Sequence, residues 1–345
     1  MLAQPQYLKS VIVKILVKYG TNKSNAESVS QSLVLSDLYG VDTHGLFHLP
    51  LYIDWIKKGE IKPNGKPEII IKKKNTALVK GNWTFGQITA KFAMREAINC
   101  AEEYDMSIVG GTQVTHTGRL GEYIEMALSK KMIAFIFSGG FSEIAPITIP
   151  YGGKGPVLST NPFAFGFPVD NSSNIICDFA TTNIAGSKII KAYNENKELP
   201  DGCLVNNEGN YVKNPTEFIK GSAWLVPFGE HKGYSIMLAN EFIGGIVSSA
   251  KLFSEAPFGG KTLGKSGFTI IVFKTSLFTL YEDYYRRMKE LINKIRKSKP
   301  APGFKKVMLP GDKEREIYND RIKNGIPVSD ELWSKINDLI ASIKF

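Results

Sequence analysis

Cysteine and histidine are scarce in this 345-residue chain, with three copies of the first and four of the second. Cys100, Cys177 and Cys203 fall in apolar or loop surroundings, and no two form a CxxC pair. That argues against a disulfide framework or a structural zinc site and makes a reducing cytoplasm the expected setting. Long apolar runs are also lacking. Lys9, Lys14 and Lys18 interrupt the stretch from Met1 to Gly20, where a secretory signal needs an unbroken apolar core and a small-residue cleavage site. The best membrane candidate, Ser235 to Ala250, is broken by Asn240 and Glu241 and is too short for a bilayer. No membrane contact is expected. Finally, no GxGxxG follows a strand and no GxxxxGKS/T occurs, so neither a Rossmann dinucleotide fold nor a P-loop is supported.

What is present reads as globular. Hydrophobic residues make up 43% and charged residues 22%, close to the soluble average and enough for a sizeable core. The net charge of +10 raises nucleic acid as a partner. The lysines are dispersed, however, and the densest runs, Lys72 to Lys74 and Arg296 to Lys299, are short. No zinc-knuckle, RNP or KH pattern accompanies them, so nucleic acid is not expected, and a mild attraction for small anions is.

Apolar residues at Leu8, Val11, Ile12, Ile15, Leu16 and Tyr19 predict a first helix ended by Gly20. Ser24 and Glu27 have capping-box spacing for a second helix running to about Gly40. A third is expected through Leu51, Ile53, Trp55 and Ile56, up to Gly59. After Pro67 the texture changes. Glu68 to Lys72, Ala77 to Lys80, Ser107 to Val109, Met132 to Phe137, Phe163 to Val169, Ile175 to Ala180 and Phe268 to Phe273 read as strands, with a helix around Ala90 to Glu103. Helical spacing returns from Tyr281 to Ile295. A linker at Pro300 to Gly303 follows, and a last helix runs through Leu332, Ile336, Leu339, Ile340 and Ile343. The expected fold is a layered, non-Rossmann α/β body with a mixed sheet, residues 73–275, plus a helical part built from both chain ends, residues 1–72 and 276–345.

Three of the four histidines, His44, His116 and His231, lie beside glycine and polar residues instead of in apolar stripes. Glycine admits close backbone approach, and imidazole titrates where proton transfer is useful. The plain alternative is a satisfied structural histidine. His44 and His48 are four apart, a spacing that suits a metal on a helix. Without HExxH, and with Pro50 following, no metal is expected. Gly229 to Gly233 precedes an apolar helical run, so its free amides, His231 and Lys232 form either a pyrophosphate site or a plain helix entry. Asp178, Thr181 and Thr182 end a strand, where they can bond a sugar or carboxamide or cap a helix. Ser159, Thr160 and Asn161 offer a further polar run.

Taken together, six runs resemble the malate/L-lactate dehydrogenase family, which includes sulfolactate, ureidoglycolate and 2,3-diketogulonate enzymes. They are Ser36 to Gly45, Thr115 to Tyr123, Ser159 to Gly166, Asp178 to Thr182 leading to Lys188, Pro227 to Tyr234, and Leu309 to Asp312. Each is modest alone, but they occur in the family's order across nearly the whole chain. The resemblance implies a homodimeric, non-Rossmann oxidoreductase that uses NADH or NADPH on a small anionic 2-hydroxy or 2-keto acid. It implies His44 as the proton donor, with Thr43 beside it and His116 in the same pocket. Cofactor contacts are implied at Ile176, Cys177, Asp178, Phe179, Ala180, Thr181, His231, Lys232, Gly311, Asp312 and Lys313.

One departure concerns the substrate. The family commonly has arginine where this chain has His48, and imidazole cannot form the same bidentate fork on a carboxylate. Either Arg119 or another cation takes that role, with Thr160 nearby, or the substrate is not an ordinary 2-hydroxy acid. Two alternatives stay open: reduction of a C=N bond on the same fold, and a catalytically silent binding protein.

Overall fold

The computed structural model describes residues 1–140, 146–169, 173–248 and 266–341. Its centre is a seven-stranded sheet, ordered β2-β3-β4-β11-β5-β6-β7. The strands are β2 (Glu68–Lys73), β3 (Thr76–Lys80), β4 (Met106–Val114), β5 (Met132–Gly139), β6 (Phe163–Phe167), β7 (Ile175–Phe179) and β11 (Ser266–Lys274). Only β3 and β4 pair in parallel; every other neighbour is antiparallel. The sheet is therefore mixed, as the sequence pattern leads one to expect. A parallel pair needs a crossover, supplied by α4 (Gly86–Tyr104), while α5 (Gly121–Ser129) joins β4 to β5. At the centre, Phe268 of β11 is buried over Gly111 of β4, where any Cβ would collide with the ring. Val79, Ala93, Ala97, Val109, Tyr123, Ile124, Ile136 and Ile270 fill the core around it.

A second core joins the two chain ends. Helices α1 (Pro5–Lys18), α2 (Lys23–Leu38) and α3 (Leu49–Lys57) bury Leu8, Ile12, Leu33 and Ile53 together with Ile336 of α11 (Asp330–Ala341). Strand β1 (Leu2–Ala3) pairs with β12 (Ile326–Pro327). Helix α9 (Tyr281–Arg296) packs elsewhere: its Met288, Ile292 and Ile295 meet Val169, Ile175 and Leu309 beside the β7 edge.

Several details differ from the sequence expectations. Helix α2 starts earlier than the Ser24 capping box, because Asn22 is its cap and accepts from the Asn25 amide at 2.9 Å. The helix α10 (Asp312–Asn324) has too few apolar residues to register as periodic. Likewise, β8 (Leu204–Asn206), β9 (Tyr211–Val212) and β10 (Ala223–Leu225) form a small sheet whose strands of two or three residues fall below pattern recognition. That sheet packs with α6 (Gly186–Asn194) and α7 (Pro215–Ile219). The window from Ser235 holds the end of α8 (His231–Ala239), then a π-helical turn over Asn240–Val247; Ser249 and Ala250 lie outside the described residues. So do Ile343 and residues 141–145. No described helix is long and apolar enough to cross a membrane.

Candidate active site

The run from Gly40 to Pro50 folds as two short 3-10 turns, Asp42–His44 and Leu46–His48, before α3 begins at Leu49. The break is made by Asp37 at the end of α2, whose buried carboxylate accepts from the Leu46 amide at 2.8 Å. Gly45 is required here, since a Cβ would overlap that carboxylate. Burial drives the Asp37 pKa well above the ordinary carboxylate range, and the Leu46 hydrogen bond opposes the shift. Arg321, on α10, ties the Asp37 carbonyl and the Asp42 carboxylate together from across the molecule.

The two turns bring His44 and His48 to within 5.8 Å, centroid to centroid. The loop after β4 adds His116, which stacks on His48 at 4.2 Å with 3° between the planes and lies 5.3 Å from His44. Gly86 allows this, because any Cβ there would strike the carbonyl oxygens of Thr115 and His116. His44 Nδ1 meets the Thr43 hydroxyl at 3.0 Å. His116 Nδ1 meets the Tyr52 hydroxyl at 2.8 Å, and Gln87 Nε2 donates to the same hydroxyl oxygen at 2.6 Å. His48 Nδ1 is buried with no protein partner.

Burial disfavours a positive charge on all three rings. Desolvation is the main cause in each case. It lowers the His44 pKa, with Asp178 opposing and Arg119 assisting. It takes His48 down to about 3, helped by His44. It takes His116 well below the ordinary imidazole range, helped by His48 and His44. The cation at the cluster is Arg119, which is 5% exposed. Its guanidinium lies 4.1 Å over the Tyr39 ring, and Nη2 pairs with Glu125 at 2.8 Å. Its Nη1 is buried without a partner, and Gly121 leaves the room the guanidinium needs.

These side chains line a cleft of about 1480 Å³ between the 3-10 turns, the β7 edge, α6, the start of α10 and α11. Among the residues singled out from sequence, Thr43, His44, His48, His116, Arg119, Thr160, Ile176, Asp178, Phe179, Ala180 and Gly311 are on its walls. Cys177, Thr181, Asp312 and Lys313 are not. Cys177 lies between Ile176 and Asp178 on β7 but is not part of the lining, whereas Phe179 at the strand's end is. Thr181 is buried, its hydroxyl donating to the Thr160 and Asn161 carbonyls. The Asp312 carboxylate is engaged by Arg296, Arg315 and the Leu309 amide, and the cations and the amide hold its pKa down against burial. His231 and Lys232 stand exposed in the first turn of α8, outside the cleft lining. Asp178 also acts as a cap: its Oδ2 accepts from the Gly121 amide, the first residue of α5, at 2.8 Å. Sequence reasoning missed Tyr52, Gln87 and Tyr39, which read as ordinary helix residues. It also missed the cleft positions of Ser329, just ahead of α11, and of Glu331, Leu332 and Lys335 on that helix. Among the described residues no group of three or more His, Cys, Asp or Glu side chains could hold a metal ion.

Lys188, Lys191, Arg315 and Lys335 bring cations to the walls, with Glu195, Glu314 and Glu331 beside them, and Gly311, at φ 90°, leaves room for the Arg315 guanidinium, whose Nη1 would lie 2.9 Å from a Cβ there.

Fold and site together define a non-Rossmann α/β protein with an imidazole cluster at a deep cleft. The chain belongs to the malate/L-lactate dehydrogenase family, whose profile matches residues 3–337, and by class it is a 2-hydroxyacid dehydrogenase. It is 32% identical to the malate/(S)-sulfolactate dehydrogenase of Methanothermus fervidus, over 98% of this chain and 97% of that one. The crystal structure of malate dehydrogenase from Entamoeba histolytica matches with a TM-score of 0.91 at 25% identity, covering 100% and 99% of the two chains. The Δ1-piperideine-2-carboxylate reductase of Pseudomonas syringae shares the fold, with a TM-score of 0.85 at 22% identity over 98% and 99%.

Proposed function

We propose that this chain moves a hydride between the nicotinamide of NADH or NADPH and C2 of a small 2-hydroxy or 2-keto acid, such as malate, lactate or sulfolactate, with His44 as the acid–base group. The observation that carries the reading is the cluster of three neutral imidazoles beside one buried arginine on the wall of a cleft large enough for a dinucleotide. The nicotinamide, when bound, supplies or takes the hydride. Ile176, Asp178, Phe179, Ala180 and Gly311 would hold it from the β7 side. Cys177, Thr181 and Asp312 would shape that wall from behind, and Lys313, His231 and Lys232, exposed in the first turns of α10 and α8, are further candidate contacts.

The remaining chemistry belongs to the chain's own groups. In oxidation a neutral His44 ring takes the proton of the substrate hydroxyl. In reduction the ring first takes a proton from cleft water and passes it to the carbonyl oxygen as the hydride reaches C2, returning to the neutral form. Thr43 orients that ring through Nδ1. His48 stays uncharged far below neutral pH, so the charge for a substrate carboxylate is left to Arg119. Thr160 and the neutral His48 supply polar and aromatic contacts around it. A small anionic substrate, assembly as a homodimer and a cytoplasmic setting complete the proposal, and sedimentation velocity tests the dimer.

The decisive assay offers NADH and NADPH with a panel of 2-keto acids and one cyclic imino acid. Loss of dihydronicotinamide absorbance that depends on a 2-keto acid is expected. Turnover of the imine alone would replace the substrate class, and dinucleotide binding without turnover on any compound would refute catalysis.

A further inference from the structure

Tyr52 and Gln87 are 1% exposed and form a chain of two hydrogen bonds ending on His116. The direction of that chain is set by the amide atom that Gln87 turns to the tyrosine, Nε2, together with the inventory of protons. Gln87 Nε2 is an amide nitrogen and can only donate, so it occupies a lone pair of the Tyr52 oxygen at 2.6 Å. Tyr52 has a single proton to give, and its other partner is His116 Nδ1 at 2.8 Å. Nδ1 therefore accepts. In a neutral imidazole one nitrogen carries the proton while the other accepts, so the proton sits on Nε2. Because the ring lines the cleft with Nδ1 turned to Tyr52, Nε2 is the nitrogen left for a ligand.

We infer that Gln87 is a positioning residue that fixes His116 as an Nε2–H donor to the substrate oxygens, and thereby reserves proton transfer for His44. Resting on the 2-hydroxyacid reading of the same cleft, this assigns different duties to two histidines only 5.3 Å apart. An imidazole pinned by an O–H at Nδ1 has no free lone pair with which to act as a base. It can still stabilise negative charge on an oxygen, and burial together with the neighbouring His48 and His44 resists a second proton. The arrangement carries a cost: Gln87 Oε1 is buried without a partner. A glutamine kept under that penalty is better explained by its Nε2–H than by packing.

The test uses the full chain labelled with ¹⁵N-histidine, whose four rings are resolved by long-range ¹H–¹⁵N correlation and assigned by single substitution. Wild type is expected to show His116 protonated at Nε2 and bare at Nδ1. Gln87→Leu removes the donor without adding charge. Its His116 signals should move toward a mixture of both ring forms, and KM for the best 2-keto acid should rise about three- to tenfold, the range for one lost neutral hydrogen bond, with kcat falling by less. Tyr52→Phe should give the same mixture and serves if Gln87→Leu fails to fold. A wild-type ring protonated at Nδ1, or ring signals unmoved in both variants, overturns the assignment. A shifted ring with an unchanged KM overturns the role toward substrate. If no 2-keto acid is turned over, the catalytic reading fails while the ring signals still decide the Gln87 relay.

Discussion

Three imidazoles, two stacked face to face and the third tilted against both, are tolerable only while uncharged, and that condition ties the site to pH. The ordinary imidazole pKa is about 6.5, while that of folded His48 is about 3. Between these values the unfolded chain binds a proton that the folded chain refuses. Stability is therefore full above about pH 7 and falls as pH drops through that window. The limit is about 1.4 kcal/mol per pH unit for each ring, trimmed because an edge of each ring reaches cleft water. Urea unfolding free energies should decline from pH 7 to pH 5, and His48→Gln should flatten the slope. An equal slope in the variant would remove His48 from the account. Replacing His44 with alanine is expected to leave dinucleotide binding intact, read by fluorescence quenching. It should cut turnover by about two to four orders of magnitude, the range for loss of an acid–base group. Undiminished turnover would exclude it from proton transfer.

Elements fix what residues cannot. Helix α4 can approach the loop carrying His116 because Gly86 opens it, and the carbonyls of Thr115 and His116 occupy the space where a side chain would go. Gly86→Ala should destabilise the protein by about 1–3 kcal/mol, the usual penalty for overpacking, and should raise KM more than a surface Gly→Ala control. Denaturant midpoints and Michaelis curves on the same preparations check both effects. The elements were unequally legible. Helix α1 was readable because its buried face repeats every three to four residues, and β5 and β11 because each carries a run of mostly apolar residues. The short strands β8 to β10 and the polar helix α10 left no periodic trace. At α2, two caps competed, and Asn22 won over Ser24 because its side chain reaches the Asn25 amide. The Ile175 to Ala180 run was legible as a strand, yet only sheet pairing shows which of its side chains face the cleft.

At the scale of the molecule, chain segments far apart in sequence close the site. Arg321 reaches back across 284 positions to the Asp37 carbonyl, steadying the turn that bears His44, and α11 adds a wall of the cleft while Ile336 enters the N-terminal core. The exposed Asp42 pair adds little on its own, so the carbonyl bond is the larger part. Arg321→Met should lose about 2 kcal/mol, the scale for a hydrogen bond from a charged donor. It should also lower turnover by loosening the His44 turn. A fall in stability with unaltered kcat would show that α10 braces the fold but not the site.

The sequence by itself determined the family, the mixed α/β class and the small set of histidines able to do chemistry, because motif order and apolar periodicity are properties of the chain. It also marked position 48 as the departure from the arginine common in the family. Only the tertiary structure decided that His44, His48 and His116 share one cluster, that burial keeps them neutral, and that a charged Arg119 lies beside them. It alone set the cleft-facing residues of β7 apart from those behind it and left His231 and Lys232 off the walls. The physical reason is that burial, ring stacking and the direction of a hydrogen bond arise between segments scores of residues apart, and no local pattern encodes them.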